Sequence, residues 1–180
     1  MNDRQLFKLF MSSVLPLVQA TDGLAGVKLA RNFQPRQHGA STSPYVYFSK
    51  LGDHRHGHPN RKGVWDEGRG VFEYTETEQY ETLVQFSAWI PQAGTDPDEL
   101  TESDILNAVS GIIQSDEILA AFRAQGVGVL RVTDVRNQAI VDERDQFATV
   151  PTFDVTLTHK RTRVSTIPAV ATIEANLGRV

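Results

Sequence analysis

The chain of 180 residues contains no cysteine. That excludes a disulfide framework, a thiolate nucleophile and a cysteine-ligated metal, and it makes the chain indifferent to redox compartment. No apolar run approaches the roughly eighteen residues of a membrane span, and the opening MNDRQLFKLFMSSVLPLVQA lacks a basic stretch ahead of an uninterrupted apolar core. The expectation is a soluble, non-secreted protein that engages no membrane. Lys and Arg are missing from residues 71–121, which hold eleven acids, whereas residues 28–69 hold eight basic residues against three acids. The net charge of −4 hides this division. Segregation of this kind suits end-to-end docking of opposite surfaces or facing arms within one hairpin, and two solvated faces of a monomer is the plainer alternative.

Catalytic signatures are missing as well. The stretch from Gly57 to Gly63 invites comparison with a phosphate loop, but Val64 follows the glycine where Lys and then Ser or Thr are needed, and no buried strand leads into it. Gly126-Val127-Gly128 lacks the third glycine of a dinucleotide fingerprint and sits at a helix end before a strand, the wrong polarity. Asp142, Glu143 and Asp145 form an acidic turn that fits no calcium-loop spacing and is interrupted by Arg144. With no Gly-x-Ser-x-Gly either, the reading is a non-enzyme without cofactor, catalytic residues or bound metal. One cluster resembles a metal site. In Asp53-His54-Arg55-His56-Gly57-His58, alternate strand positions put His54 and His56 on one face, about 7 Å apart at Cα, within reach of a shared zinc. The alternative function is therefore a histidine-cluster metal-binding module or metal-dependent enzyme. Against it stands the reading of these residues as a solvated edge strand with a weak response to pH. The basic run His159-Lys160-Arg161-Thr162-Arg163 can touch phosphate, but no Lys- and Arg-rich recognition helix accompanies it, which argues against sequence-specific DNA reading.

What is present is a chain with 40% apolar residues, enough for one domain with a core. Residues 71–90, VFEYTETEQYETLVQFSAWI, are β-patterned throughout, and the first half is polar on both faces. At about 3.3 Å per residue the run extends roughly 65 Å, against a radius of gyration near 16 Å for a compact chain of this length. Part of it must project. A second strand-like run, 45–58, precedes it across a turn-rich stretch, 59–70, and the two pair as a long hairpin. With pairing centred near Val64, the basic arm of Lys50, His54, Arg55, His56 and His58 faces the acidic arm of Glu73, Glu76 and Glu78. Lys50, His54, Arg55, His56, Arg61, Lys62, Trp65, Glu73, Glu76 and Glu78 are the candidate interface residues.

Leu6, Phe10, Val14 and Leu17, widened by Phe7 and Val18, mark a helix over residues 3–20, and Pro16 is the point at which it kinks or ends. Val27, Leu29 and Arg31 begin a short strand, followed by a loop over 32–44. After a turn at 94–97, Thr101 caps an acidic helix start with Ile105, Leu106, Val109, Ile112 and Ile113 as its buried face. A second helix runs from near Ser115 to Gly126 and buries Ile118, Leu119 and Phe122. Residues 127–141 alternate as a strand with a break near Asn137. Residues 150–160 form another, with Phe153, Val155 and Leu157 on one face and Asp154, Thr156 and Thr158 on the other. The tail from Thr162 is weakly patterned. The fold class is α+β: a mixed, mostly antiparallel sheet with a projecting hairpin, packed against an N-terminal helix and a central helix pair. The domain reading is one α+β domain over 1–163, with the hairpin at 44–91 and a C-terminal arm over 164–180.

The order of these segments resembles the neck or tail terminator proteins of contractile-tailed bacteriophages, also called gateway proteins. The residues that carry it are an N-terminal helix leading to Phe33-Gln34-Pro35, then Pro44-Tyr45-Val46-Tyr47-Phe48-Ser49-Lys50-Leu51-Gly52-Asp53 and Glu81-Thr82-Leu83-Val84-Gln85-Phe86-Ser87-Ala88-Trp89. After the helices come Val141-Asp142-Glu143-Arg144-Asp145-Gln146-Phe147 and Pro151-Thr152-Phe153-Asp154-Val155-Thr156-Leu157-Thr158. The match is one of order and spacing over residues 3–160, and the histidine run lies outside it. The resemblance implies a tail-terminator-like fold and a structural virion protein at the head–tail junction, made in the host cytoplasm. It further implies a homohexameric ring that terminates the tail and contacts the neighbouring neck or head-completion protein and the tail tube or sheath. Genomic DNA would pass through its lumen without sequence-specific binding, and the family has no catalytic residues to carry over.

Overall fold

The computed structural model describes residues 2–31, 43–91, 100–141 and 147–168. Helix α1, Asp3–Ala20, opens on a reciprocal cap. The Asn2 side chain accepts from the Gln5 backbone N–H and the Gln5 side chain accepts from that of Asn2, both at 2.9 Å. Leu6, Phe7, Leu9, Phe10, Val14 and Val18 form its buried stripe, while Leu17 lies at the stripe's edge. Pro16 does not end the helix, which continues to Ala20. Ser12 and Pro16 are both on the exposed side, so the carbonyl that loses its donor is open to water.

Strand β1, Lys28–Arg31, pairs in parallel with the start of β2, Tyr45–Asp66. β3, Val71–Trp89, is followed by α2, Glu102–Ile113, and α3, Asp116–Ala124. β4, Val127–Val132, and β5, Arg136–Val141, both pair antiparallel with β6, Phe147–Pro168, so the sheet reads β1-β2-β3-β6-β4 with β5 also on β6. The fold is α+β, with a mixed and mostly antiparallel sheet. Thr101 caps α2 by accepting from the Asp104 N–H at 3.2 Å, and the Asp104 carboxylate accepts from the Thr101 N–H at 2.9 Å. Ser115 caps α3.

The helices cover one face of the sheet. Phe48, Phe86 and Phe153 lie opposite one another on β2, β3 and β6 as a single fully buried row. Phe10 of α1 meets Phe48, Phe86 and Phe122 at centroid distances of 5.7, 5.5 and 5.2 Å, so one ring ties α1, α3 and the sheet together. Each such side chain contributes about 1.5–3 kcal/mol of burial. Val84, Val155 and Leu157 extend the row toward one end, and Ile105, Leu106, Val109, Ile113 and Ile118 close the core from above. Among the described residues no single helix is long and apolar enough to cross a membrane.

Three expectations about strand ends are corrected. β2 does not stop at His58 but runs to Asp66, and the turn occupies only 67–70, so Val64 faces Glu73 and is not the centre of the hairpin. Pro59 and Gly57 read as turn residues, yet they fall in the register shift between His56 and Asn60, where no ladder bond is required of them. Gly57 has φ +62°, the left-handed conformation that such a bulge uses. The second correction concerns β6, which continues beyond Lys160 to Pro168, so 164–168 are strand. The third is the break between β4 and β5, which falls at 133–135, where the Thr133 hydroxyl accepts from the Asp154 N–H at 2.9 Å in place of a ladder bond. Asn137 instead pairs with Pro151. Most of the 32–44 loop, the turn at 94–97, the acidic turn at 142–145 and the tail from 169 lie outside the described residues.

Candidate protein interface on the projecting arm

The arm has three strands. β3 is paired with β6 without a register shift from Val71↔Pro168 to Ser87↔Thr152, while β2 flanks its other side. The last well-buried polar positions are Thr82 and His159, and beyond them the three strands run outward for about 30 Å with side chains mostly exposed.

A polar chain closes the base of the arm. Lys50 Nζ lies 2.7 Å from Asp3 of α1 and also binds Asp53, and Asp53 accepts from the Thr82 hydroxyl at 2.6 Å. That hydroxyl's one proton is thereby committed, so His159 Nε2, 3.0 Å away, carries the hydrogen and donates to Thr82. Partial burial opposes the charge on Asp53, but hydrogen bonds from Lys50 and Thr82 outweigh it and hold the carboxyl below its ordinary range. Burial pushes the His159 imidazole down, so it is held neutral.

Outward from this base, pairing fixes two faces. The face continuous with the helix-bearing core carries Arg55, Tyr80 and His159, then Glu78 and Arg161, then Arg61, Glu76 and Arg163. At the tip it carries Gly63, Tyr74 and Ser165, then Trp65, Phe72 and Ile167. Arg55 binds Glu78 at 2.9 Å, and Glu78 also accepts from the Tyr80 hydroxyl at 2.6 Å. The Tyr80 bond foremost, then Arg55, holds the Glu78 carboxyl below its ordinary range. Arg61 binds Glu76 at 3.2 Å from both Nε and a terminal nitrogen. Trp65 and Phe72 meet at 4.9 Å, and Phe72 and Tyr74 at 6.2 Å. A Cβ added at Gly63 would stand 3.0 Å from the Tyr74 ring, so the ring would have to give by a few tenths of an ångström to admit one. At the turn, Arg69 binds Asp66 at 2.6 Å and Glu73 at 3.0 Å.

The opposite face holds His54, His56, Lys62, Val64 and Glu73. His54 and His56 meet edge to face at 5.0 Å, and His56 Nε2 lies 2.7 Å from Glu81. Among the described residues no group of three or more His, Asp or Glu side chains suits a metal ion.

The structure thus brings Arg55, Arg61, Trp65, Glu76 and Glu78 onto one face and leaves Lys50 at the base and His54, His56, Lys62 and Glu73 on the other. The acidic strand is not an exposed arm of its own. It is the middle strand, between basic residues of β2 and basic residues of β6, Arg161 and Arg163, which the sequence reading did not count among the interface residues. The signal was there in the β-branched alternation Thr162, Val164, Thr166 after Lys160. Phe72, Tyr74 and Ile167 were missed for a related reason, since an apolar residue exposed on a free sheet looks like any strand residue.

A family model described as E217 gateway protein gp29 matches residues 5–169, from the first turn of α1 through the end of β6 and across the whole arm. No curated protein matches the chain. An α+β body, a three-stranded arm that continues its sheet and a family match along nearly the full length agree with one another, and the chain belongs to this family of phage gateway proteins.

Proposed function

We propose that this chain closes into a homohexameric ring at the phage head–tail junction, ends the tail there, and joins it to the head-completion and portal assembly while DNA passes through the lumen. The gateway family supports the coarse part of this reading, a structural role between phage head and tail. The observation that carries the rest is the arm, a three-stranded extension about 30 Å long with no helix of the described residues over its outer half. A free sheet of this kind has little reason to exist in a monomer, since isolated strands gain their stability from a covered apolar face. We read Lys50, His54, Arg55, His56, Arg61, Lys62, Trp65, Glu73, Glu76 and Glu78 as residues of the assembly contacts.

The partners are copies of the chain itself, the neighbouring neck protein, and the tail tube or sheath. DNA in the lumen is passed without sequence reading. Synthesis takes place in the host cytoplasm and the chain has no catalytic step. The C-terminal segment from residue 164 adds to assembly, so removal of 169–180 weakens ring formation more than it lowers the melting temperature. A reconstruction of the virion tests the reading directly. Six copies at the junction are expected; another number, or another location, overturns it.

A further inference from the structure

We propose that the arm of one copy lies along α3 of the next copy, with its aromatic tip in the groove between α1 and α3 and with Arg161 and Arg163 against Asp116 and Glu117. The inference rests on the ring reading and names the two surfaces that would make the ring.

The arm face in question is the one that bears helices in the body of its own chain, continued outward until no helix among the described residues remains over it. Its tip is apolar, with Trp65, Phe72, Tyr74 and Ile167 each between 37% and 52% exposed. Arg55 and Arg61 on this face are held by Glu78 and Glu76, whereas Arg161 and Arg163 take no ion pair among the described residues. A partner for this face needs an apolar recess and, some distance from it, two acids.

The body of the chain carries that arrangement. A groove of about 500 Å³ runs between α1 and α3, lined by Leu9, Ala121 and Ala124 together with polar residues that include Lys8 and Ser12. Small residues on α3 let another backbone approach. The exposed first turn of α3 carries Asp116 and Glu117, which have no ion pair among the described residues. The spacings agree. From Arg163 to Ile167 along a strand is about 13 Å, and from Asp116 to Ala124 along a helix is about 12 Å. The two surfaces differ, so the contact is head-to-tail and repeats by rotation, closing a ring where that rotation divides a full turn. One face of the arm, about 30 Å by 15 Å, offers roughly 450 Å², below the ~800 Å² per partner of a stable pair. A single contact is therefore weak, and closure, in which every copy both gives and receives an arm, is what holds.

The absence of cysteine makes the test direct. Rings assembled from a mixture of Arg163→Cys and Glu117→Cys chains should give a disulfide-linked pair on oxidation, as should a mixture of Trp65→Cys and Ala124→Cys, and none of the single variants alone should. A six-membered ring without either mixed link overturns the inference and leaves the ring reading standing. Efficient homodimers of Arg163→Cys alone also overturn it, because arms would then pair with arms. If no ring is found, both fall. Charge reversal gives a second readout: Arg161→Glu/Arg163→Glu should weaken ring formation by about tenfold or more, and Asp116→Arg/Glu117→Arg in the same chain should restore part of it. If reversal leaves the ring intact and instead lowers retention of duplex DNA, the basic row serves nucleic acid and the proposal is wrong.

Discussion

The same three strands build the body and the arm, and they do so with different chemistry. In the body, the row Phe48, Phe86, Phe153 is fully buried beneath Phe10, and the burial is what holds the strands in register. Some thirteen positions further out on β2, the row Arg61, Glu76, Arg163 is joined by an ion pair in water, and beyond it Trp65, Phe72 and Ile167 are half exposed. Exposed ion pairs contribute about 0–1 kcal/mol each, against about 1.5–3 kcal/mol for a buried Phe. The arm is thus specified in register by its connection to the body and not by a core of its own. Its side chains are free to be chosen for what lies outside the chain.

Five substitutions test that contrast. Phe86→Ala should cost about 3–5 kcal/mol in denaturant unfolding, while Trp65→Ala should cost under about 1 kcal/mol. Equal losses would mean the tip is part of one continuous core. The base of the arm should show the next effect, as a dependence on pH. Burial lowers the His159 pKa from its ordinary 6.5, so the unfolded chain takes up the proton first as pH falls. The contribution is complete above about 6.5 and is lost as pH drops toward the folded-state value. Melting temperature should therefore fall as pH drops below about 6.5, and less so in His159→Gln; parallel curves for the two proteins would remove His159 as the cause.

Gly57→Ala is expected to cost about 1–2 kcal/mol because it forces a left-handed backbone on a residue with a Cβ. A neutral result would show that the bulge on β2 relaxes freely. The smallest effect on folding should come from Glu76→Lys, under about 1 kcal/mol, although it places a third cation between Arg61 and Arg163. Its effect on head–tail joining should be the larger one. Unfolding of the monomer, or joining at the wild-type level in both low and moderate salt, would contradict the assignment of this row to assembly.

Much of the body was legible before any coordinates. The stripe Leu6, Phe10, Val14, the Thr101 cap and the start of a second helix near Ser115 follow from periodicity and from the chemistry of free helix N–H groups, and these do not depend on distant residues. The existence of an overlong hairpin was legible from the length of the 71–90 run. Its register was not, because Gly57, Pro59 and Gly63 are poor strand residues that the bulge and the Tyr74 ring accommodate. The third strand of the arm was harder to read because both faces of 160–168 are exposed, which leaves the β-branched alternation Thr162, Val164, Thr166 as a signal without a buried side to support it. Cross-strand pairing of Arg with Glu was anticipated in kind, but the second basic neighbour of Glu76 depends on β6, whose partner lies far away in sequence.

That distance sets an order of events during folding. Asp66 and Val71 close the hairpin across a four-residue turn, a local step, whereas the pairing of Val71 with Pro168 joins residues about a hundred positions apart. Long loops close slowly and only after intervening segments have found their places. The arm should then be two-stranded while α1, α2 and α3 collapse onto the sheet, and become three-stranded last, as β6 zips outward from Phe153 toward its end. Pulsed hydrogen exchange should find amides of 160–168 protected after those of the Phe48–Phe86 region. A newly made chain on that schedule has no complete arm to offer until its body is built, which delays association until each subunit is sound.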